Sequence, residues 1–498
     1  MAKPGRVVRS SPGSAGGRRT REYLALPRKR SVWEVLAVNA LRLLGRVVWW
    51  LSRHPWVTAT APAFLTSLAV LGRAGTGYLL IGLVAVAGAW WWRWPGSFAR
   101  LVAVPARGQW RRVACYQRHW QPAMTMCGLS KEYGDRQYLP AIKRVLSNKF
   151  ADRVLVVLLA GQAPADFEKQ TDALAHTFGA RRCAVRVDRP GRVWLDLFRA
   201  DALTDALPAL PIPTVPDFAA LVLGRTEAGV AWVLRLIGTH VLIAGATGAG
   251  KGSVLWSIVR AVANGVRTRT VLLWGIDPKG GMELTFGRRM FDRLGFQDTP
   301  SMLAPLDDAV AFMKERQRRL VGITRMHVPT VFDPLLVVVV DELAALIAYT
   351  DRETKKRASD ALQLLLSQGR AVGVVVVAAV QDPSKDIIGF RDLFPTRIGL
   401  RLVEDVQVDM VLGRGARERG AECDRIPASL PGVGYVVQEG VREPVRIRAG
   451  HVTDFDLADM CTHYAPGMPD PAEGVQAAPA RRRSWLVRIF GRPVVASS

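Results

Sequence analysis

His240 to Ser253, read as HVLIAGATGAGKGS, restricts the fold of this chain more than any other stretch. Val241 to Ala244 is a short apolar run, a glycine-rich turn follows, and a helical pattern opens behind it. Strand, Gly-rich loop and helix N-terminus in that order make a cradle for phosphate. Backbone N–H groups of Gly245, Ala246, Thr247, Gly248, Ala249 and Gly250 can converge on one anion, and Lys251 adds a point charge for the β- and γ-phosphates. Gly252 and Ser253 begin the helix, whose Val254, Leu255, Ile258, Val259 and Val262 fall on one face, with Gly265 placed to stop it. The pattern predicts a nucleoside triphosphate site over 245–253.

One position departs from the usual form. A Ser or Thr ordinarily follows the lysine and ligates Mg²⁺. Here Gly252 follows it, and Ser253 comes one residue later, about 100° further round the helix. Two ways of holding Mg²⁺ stay open: Ser253 after a shift of the loop, or water and an acid elsewhere.

From 240 to about 450 strand-like and helical patterns alternate, which predicts an α/β fold with a mostly parallel sheet. The expected strands are 241–244, 270–276, 335–340, 373–380 and 397–403, with an edge pair at 434–437 and 445–448. A hairpin over 221–236 leads into the P-loop strand. Leu335 to Val340 is wholly apolar and ends in Asp341-Glu342, where ligands bind in open α/β sheets. Asp341 is expected to hold Mg²⁺ through water, and Glu342 to act as general base on the attacking water. Gln381 ends the next strand, where its amide can contact the γ-phosphate or the lytic water. Asp277-Pro278-Lys279-Gly280-Gly281 follows another strand near the same edge. Arg370 and Arg397 are candidates for a cation given to a neighbouring subunit's phosphate, or else surface ion-paired residues. His240 opens a strand and is expected to be structural.

The 498 residues leave room for two or three domains. Residues 1–31 are basic and rich in Gly, Ser and Pro, which predicts disorder. Residues 32–95 are expected to anchor the chain in lipid: an interfacial helix, then a transmembrane hairpin over 56–72 and 76–94, turning at Arg73-Ala74-Gly75. Trp90, Trp91, Trp92 and Trp94 make an aromatic belt at the exit, and arginines crowd both flanks, which puts both termini in the cytoplasm. A buried helical hairpin of a soluble domain is the competing reading. Residues 96–149 read as a basic linker, 150–200 as a small α+β module and 201–220 as a Pro-rich linker. The P-loop domain covers 221–452. A tail, 453–498, reads as disordered with a basic segment, Arg481 to Arg492, too short for a DNA-reading domain. The net charge of +25 suits a polyanionic partner, nucleic acid or anionic lipid. Five scattered cysteines without a C-x-x-C pair argue against a zinc site or a disulfide scaffold.

HVLIAGATGAGKGS, IDPKGGMEL, VVVVDELAAL, GRAVG before VVVVAAVQDPS, and FPTRIGLRL together resemble the FtsK/SpoIIIE family of DNA-pumping ATPases. The resemblance spans roughly 220–450, and the single GKGS P-loop behind a short N-terminal hairpin looks most like actinobacterial Tra-type transfer proteins. It implies a RecA-like P-loop fold, ATP and Mg²⁺ as cofactors, and a homohexameric ring around double-stranded DNA. It further implies binding without sequence preference and an inner-membrane location, in conjugative transfer or chromosome segregation. Lys251, Asp341, Glu342 and Gln381 then carry ATP binding, metal binding, hydrolysis and sensing. Two other readings stay open: a protein-secretion motor of the type VII class, and a non-motor membrane-bound DNA-binding regulator.

Overall fold

The computed structural model describes residues 55–133, 136–347, 351–381, 383, 389–441 and 443–469. The basic N-terminus, the interfacial segment up to 54 and the basic tail beyond 469 lie outside these residues. The chain divides into two compact units, 1–90 and 91–498.

In the first unit, helix α1 begins at Pro55 and runs on to Arg93. It is interrupted at Gly72, whose φ of 65° is open to glycine without a Cβ penalty. The break falls one residue before the expected turn at Arg73-Ala74-Gly75: those residues are helical, and Thr76 Oγ1 donates to Gly72 O at 2.8 Å. Among the described residues one stretch, Ala74–Arg93, is long and apolar enough to cross a membrane. Tyr78, Ile81 and Val84 on it stand exposed, with no protein surface over them.

The second unit opens on residues that read as a linker in the sequence. Pro95 to Met126 is instead a run of short helical segments, two of them π-turns. Ala141–Ser147 is strand β1, whose Lys143 and Arg144 face water and hide its strand character in the sequence. It forms the edge of a four-stranded antiparallel sheet with β2 (Ala151–Val157), β3 (Arg182–Arg189) and β4 (Arg192–Phe198), in the order β1-β2-β4-β3. Behind β2 the helical residues are split into Pro164–Glu168 and α2 (Thr171–Thr177), because the backbone at Gln170 leaves the helical region. Tyr116, Trp120 and Met124 from the helical run pack on Val154, Val156 and Leu195 of this sheet. Asp152, fully buried, ties the layers together. It accepts from Tyr116 Oη at 2.8 Å and Ser147 Oγ at 2.5 Å, and pairs with Arg111 and Arg199 at 2.7 and 3.1 Å.

The larger sheet has ten strands. In chain order they are β5 (Leu221–Thr226), β6 (Ala231–Leu234), β7 (Val241–Ala244), β8 (Val271–Ile276), β9 (Arg293–Gly295), β10 (Leu335–Val340), β11 (Val374–Val380), β12 (Thr396–Gly399), β13 (Val433–Val437) and β14 (Val445–Ala449). Their spatial order is β9-β8-β10-β11-β7-β12-β13-β14-β5-β6. The first six are parallel, and the last four extend the sheet by antiparallel pairing, so it is mixed rather than mostly parallel. The 221–236 hairpin forms but sits at the far edge, away from the P-loop strand. β12 stops at Gly399, four residues short of the expected end, and β9 carries no signal in its three residues.

Every residue of β10 and β11 is buried, as helices on both faces demand. The alternation is visible in the packing. Leu242, Leu336, Val338 and Val340 join one apolar cluster, with α4 (Thr299–Leu320) and α5 (Arg352–Gln368). Val241, Ile243, Leu335, Val337 and Val339 join the other, with α3 (Lys251–Arg267). α3 runs past Gly265 to Arg267 rather than stopping there. A last helix, α6 (Asp454–His463), buries Leu457, Met460 and Cys461 in the second cluster, so the domain continues through residues read as tail.

Candidate nucleotide site

Strands β7, β11, β10 and β8 lie side by side and parallel, so their carboxyl ends bring four loops together. The P-loop leaves β7, Gln381 leaves β11, Asp341-Glu342 leave β10, and Asp277 to Glu283 leave β8. Gly245 N–H donates to Val380 O and Ala246 N–H to Arg401 O, which moor the loop to both neighbouring strands. Gly250, at φ 93°, caps α3 and lies under Gly432, whose N–H donates to Ala249 O at 2.8 Å.

Lys251 is buried and donates to Gly245 O at 2.8 Å and Ala246 O at 3.3 Å, so its ammonium sits inside the loop that would wrap a phosphate. Burial, and then the nearby charge of Lys279, push its pKa down to about 8. Thr247 Oγ1 donates to Gln381 Oε1 at 3.4 Å, and Gln381 N–H donates to Glu342 Oε1 at 3.3 Å. Gln381 thus links the P-loop and the expected base. Glu342 also accepts from Ala344 N–H at 3.3 Å and is buried.

Lys279 stands between the two acids, with Nζ 3.2 Å from Asp341 Oδ2 and 3.4 Å from Glu342 Oε2. Burial alone would lower its pKa, but these carboxylates raise it above the ordinary lysine range. Burial raises Asp341, and Lys279 only partly offsets that. The ion pair with Lys279 is the polar contact of Asp341 Oδ2 among the described residues. Behind them Asp277, fully buried, accepts from the N–H groups of Lys279, Glu283 and Leu284 and so shapes the loop. The buried Asp341, a hard oxygen donor lacking a full set of partners, fits Mg²⁺. Ser253 is placed otherwise: its Oγ lies 3.5 Å from His451 Nδ1, its side-chain hydrogen-bond partner among the described residues.

Three side chains belong to the site without having stood out in the sequence. Lys279 and Glu283 come from the IDPKGGMEL loop, whose position was legible but whose side-chain partners were not. Arg401 donates to Thr247 O at 2.7 Å from the residues that follow β12. His240 is structural, as expected. Its Nδ1 accepts from Val376 N–H at 3.0 Å, and burial pushes its pKa down to about 3, so the ring is neutral.

Arg370 and Arg397 are not in this site. They share a cleft of about 720 Å³ with Arg391, Arg414, Arg419, Asp392 and Glu439. It lies at the amino ends of β11 and β12, across the sheet from the P-loop. Arg370 pairs with Glu439 at 2.9 Å, and Arg397 with Asp392 at 3.5 Å.

Comparison with known proteins agrees with this layout. Residues 89–199 match the model for the actinomycete conjugal transfer protein N-terminal domain, and 208–321 match the FtsK/SpoIIIE family. The second match holds the P-loop, Lys279 and Glu283; Asp341, Glu342 and Gln381 lie beyond its end. The DNA translocase FtsK of Mesorhizobium japonicum is 26% identical over 361 residues, 61% of this chain and 38% of that protein. FtsK of Borreliella burgdorferi is 29% identical over 223 residues, 40% of this chain and 27% of that protein. The chain thus spans less than two-fifths of the length of these relatives. A solved structure described as the pCW3 conjugation coupling protein TcpA, monomer form with ATPgS, is 18% identical, with a TM-score of 0.45. That match covers 69% of this chain and 98% of the other. Residues 208–321 are thus similar to the FtsK/SpoIIIE family, and residues 89–199, ahead of them, to the actinomycete conjugal transfer N-terminal domain.

Proposed function

We propose that this chain is a membrane-anchored ATPase that moves DNA during conjugal transfer. The observation that carries the reading is one edge holding P-loop, buried lysine, paired acids and a linking glutamine. Lys251 meets the β- and γ-phosphates after giving up its loop carbonyls. Glu342 takes the proton of the attacking water, and Gln381 senses the γ-phosphate from between the P-loop and Glu342. Asp341 would hold Mg²⁺, whose positive charge would offset that of the phosphates.

The relatives' description as DNA translocases and the charge of +25 support DNA as the polyanion. We take it to be duplex, gripped by its phosphates and without sequence preference. The arginine cleft, too far from its own P-loop, is assigned to the nucleotide of a neighbouring copy in a homohexameric ring. The exposed apolar face of Ala74–Arg93 supports insertion in the cytoplasmic membrane. A second crossing by the preceding half of α1, with both termini cytoplasmic, completes this reading.

The test is ATP hydrolysis by the full-length protein in detergent, with and without duplex DNA, beside Lys251→Ala. Turnover that rises with duplex DNA and is lost in Lys251→Ala is the expected result. Equal rates with and without DNA in an active preparation would overturn the DNA motor.

A further inference from the structure

Gly252 sits where the P-loop hydroxyl belongs, and something else fills its space. A Cβ built on Gly252 would overlap Glu283 Oε1 and come within 3.1 Å of Glu283 Cδ. The carboxylate of Glu283 therefore lies in the volume that a Ser or Thr side chain would take at this position. It is held there. Trp256 Nε1 on α3 donates to Oε1 at 3.1 Å, and the backbone N–H of Glu283 donates to Asp277 Oδ2 at 2.9 Å. Oε2 accepts no hydrogen bond among the described residues. Around it stand Lys251, Lys279 and Asp341, all of which bear on its charge. Asp341, a residue 4% exposed, meets Lys279 Nζ at 3.2 Å through Oδ2, which has no other polar partner among the described residues and so keeps lone-pair capacity for a cation.

We propose that Glu283 takes over the metal-side role of the missing P-loop hydroxyl, so that Gly252 and Glu283 act as one unit beside Asp341. The inference rests on the ATP·Mg²⁺ reading above. Glycine at 252 is then the residue that makes room for the acid rather than a lost ligand. Exchanging a neutral hydroxyl for a carboxylate keeps the donor a hard oxygen, which suits Mg²⁺, and adds one negative charge. Lys279, 3.2 Å from Asp341 Oδ2, occupies part of that charge field while no metal is bound.

The competing role for Glu283 is structural, seating the Trp256 indole. The two roles separate in Glu283→Gln, which keeps an oxygen for Trp256 and the side-chain shape but loses the charge. The measurement is Mn²⁺ occupancy by electron paramagnetic resonance on the full-length protein in detergent, with ATPγS, together with metal-free nucleotide binding. Glu283→Gln is expected to raise the Mn²⁺ midpoint about tenfold or more while leaving metal-free nucleotide binding in place. Gly252→Ser, which pushes the carboxylate aside, should raise the midpoint too. The double variant Gly252→Ser/Glu283→Ala restores the ordinary P-loop arrangement and should bind Mn²⁺ more tightly than Glu283→Ala alone. A wild-type midpoint in Glu283→Gln, or a double variant no better than Glu283→Ala, would overturn the inference while nucleotide binding stands. Failure of the wild-type chain to bind ATPγS at all would overturn the nucleotide-site reading, and this one with it.

Discussion

On the proposed reading Lys251 and Glu342 act at different stages, and their substitutions should separate accordingly. Lys251 touches phosphate in the ground state, so Lys251→Ala should weaken ATP binding roughly ten- to a hundredfold by the loss of a charged hydrogen bond. Glu342 acts only on the attacking water, so Glu342→Gln should bind ATP normally and lose turnover by about a hundredfold or more. Nucleotide-binding titrations beside turnover rates check both, and Glu342→Gln turning over at the wild-type rate would remove the base from this residue. The pKa of Lys251, pushed down to about 8 by burial and by Lys279, gives a second prediction. Below pH 8 the free site presents a cation to the phosphates. Above it the lysine is neutral, and each further pH unit should weaken binding by up to about tenfold, with a proton taken up on binding. For folding the sign is opposite. A depressed lysine pKa costs stability below about 8, and the cost is relieved as pH rises toward the ordinary lysine value. Calorimetric titrations in two buffers at pH 7 and 9 read the proton uptake directly.

Which elements were legible follows from how local their signals are. The P-loop, β10 with Asp341-Glu342, and β11 with Gln381 are each written in one continuous stretch, because a strand buried on both faces must be a continuous apolar run. The meeting of Gly252 with Glu283 was not legible. It joins residues from two loops, and only the register of β7, β11, β10 and β8 brings those loops to one edge. The helical run at Pro95–Met126 hid behind its surface arginines, and β1 behind Lys143 and Arg144. Their burial is set by Asp152, whose partners at 111, 116 and 199 are far apart in the chain. Asp152→Ala would leave Arg111 and Arg199 beside a buried, uncompensated site. It should destabilise this module by about 3 kcal/mol or more, read as a lower thermal midpoint with nucleotide binding unchanged. An unshifted midpoint would mean that the apolar layer alone holds the helical run on the sheet.

At the scale of the whole molecule, the P-loop and the arginine cleft lie at opposite ends of parallel strands. The seven residues of β11 put Arg370, ahead of its amino end, roughly 20 Å from Gln381 at its carboxyl end, whereas Arg397 pairs with Leu242, three residues before the P-loop opens at Gly245. In the proposed ring, one copy's cleft would meet the next copy's phosphates. Arg370→Ala and Lys251→Ala should each be inactive alone, and mixing them should restore part of the turnover, because some interfaces then pair an intact P-loop with an intact cleft. No recovery on mixing would place catalysis within a single chain. Motion along DNA is the claim on which the rest depends. Displacement of a third strand from duplex DNA by the full-length protein, with ATP, tests it most directly. The account predicts displacement that needs ATP, disappears in Glu342→Gln, and is the same on unrelated duplexes. A third strand left in place by a preparation that hydrolyses ATP would contradict it.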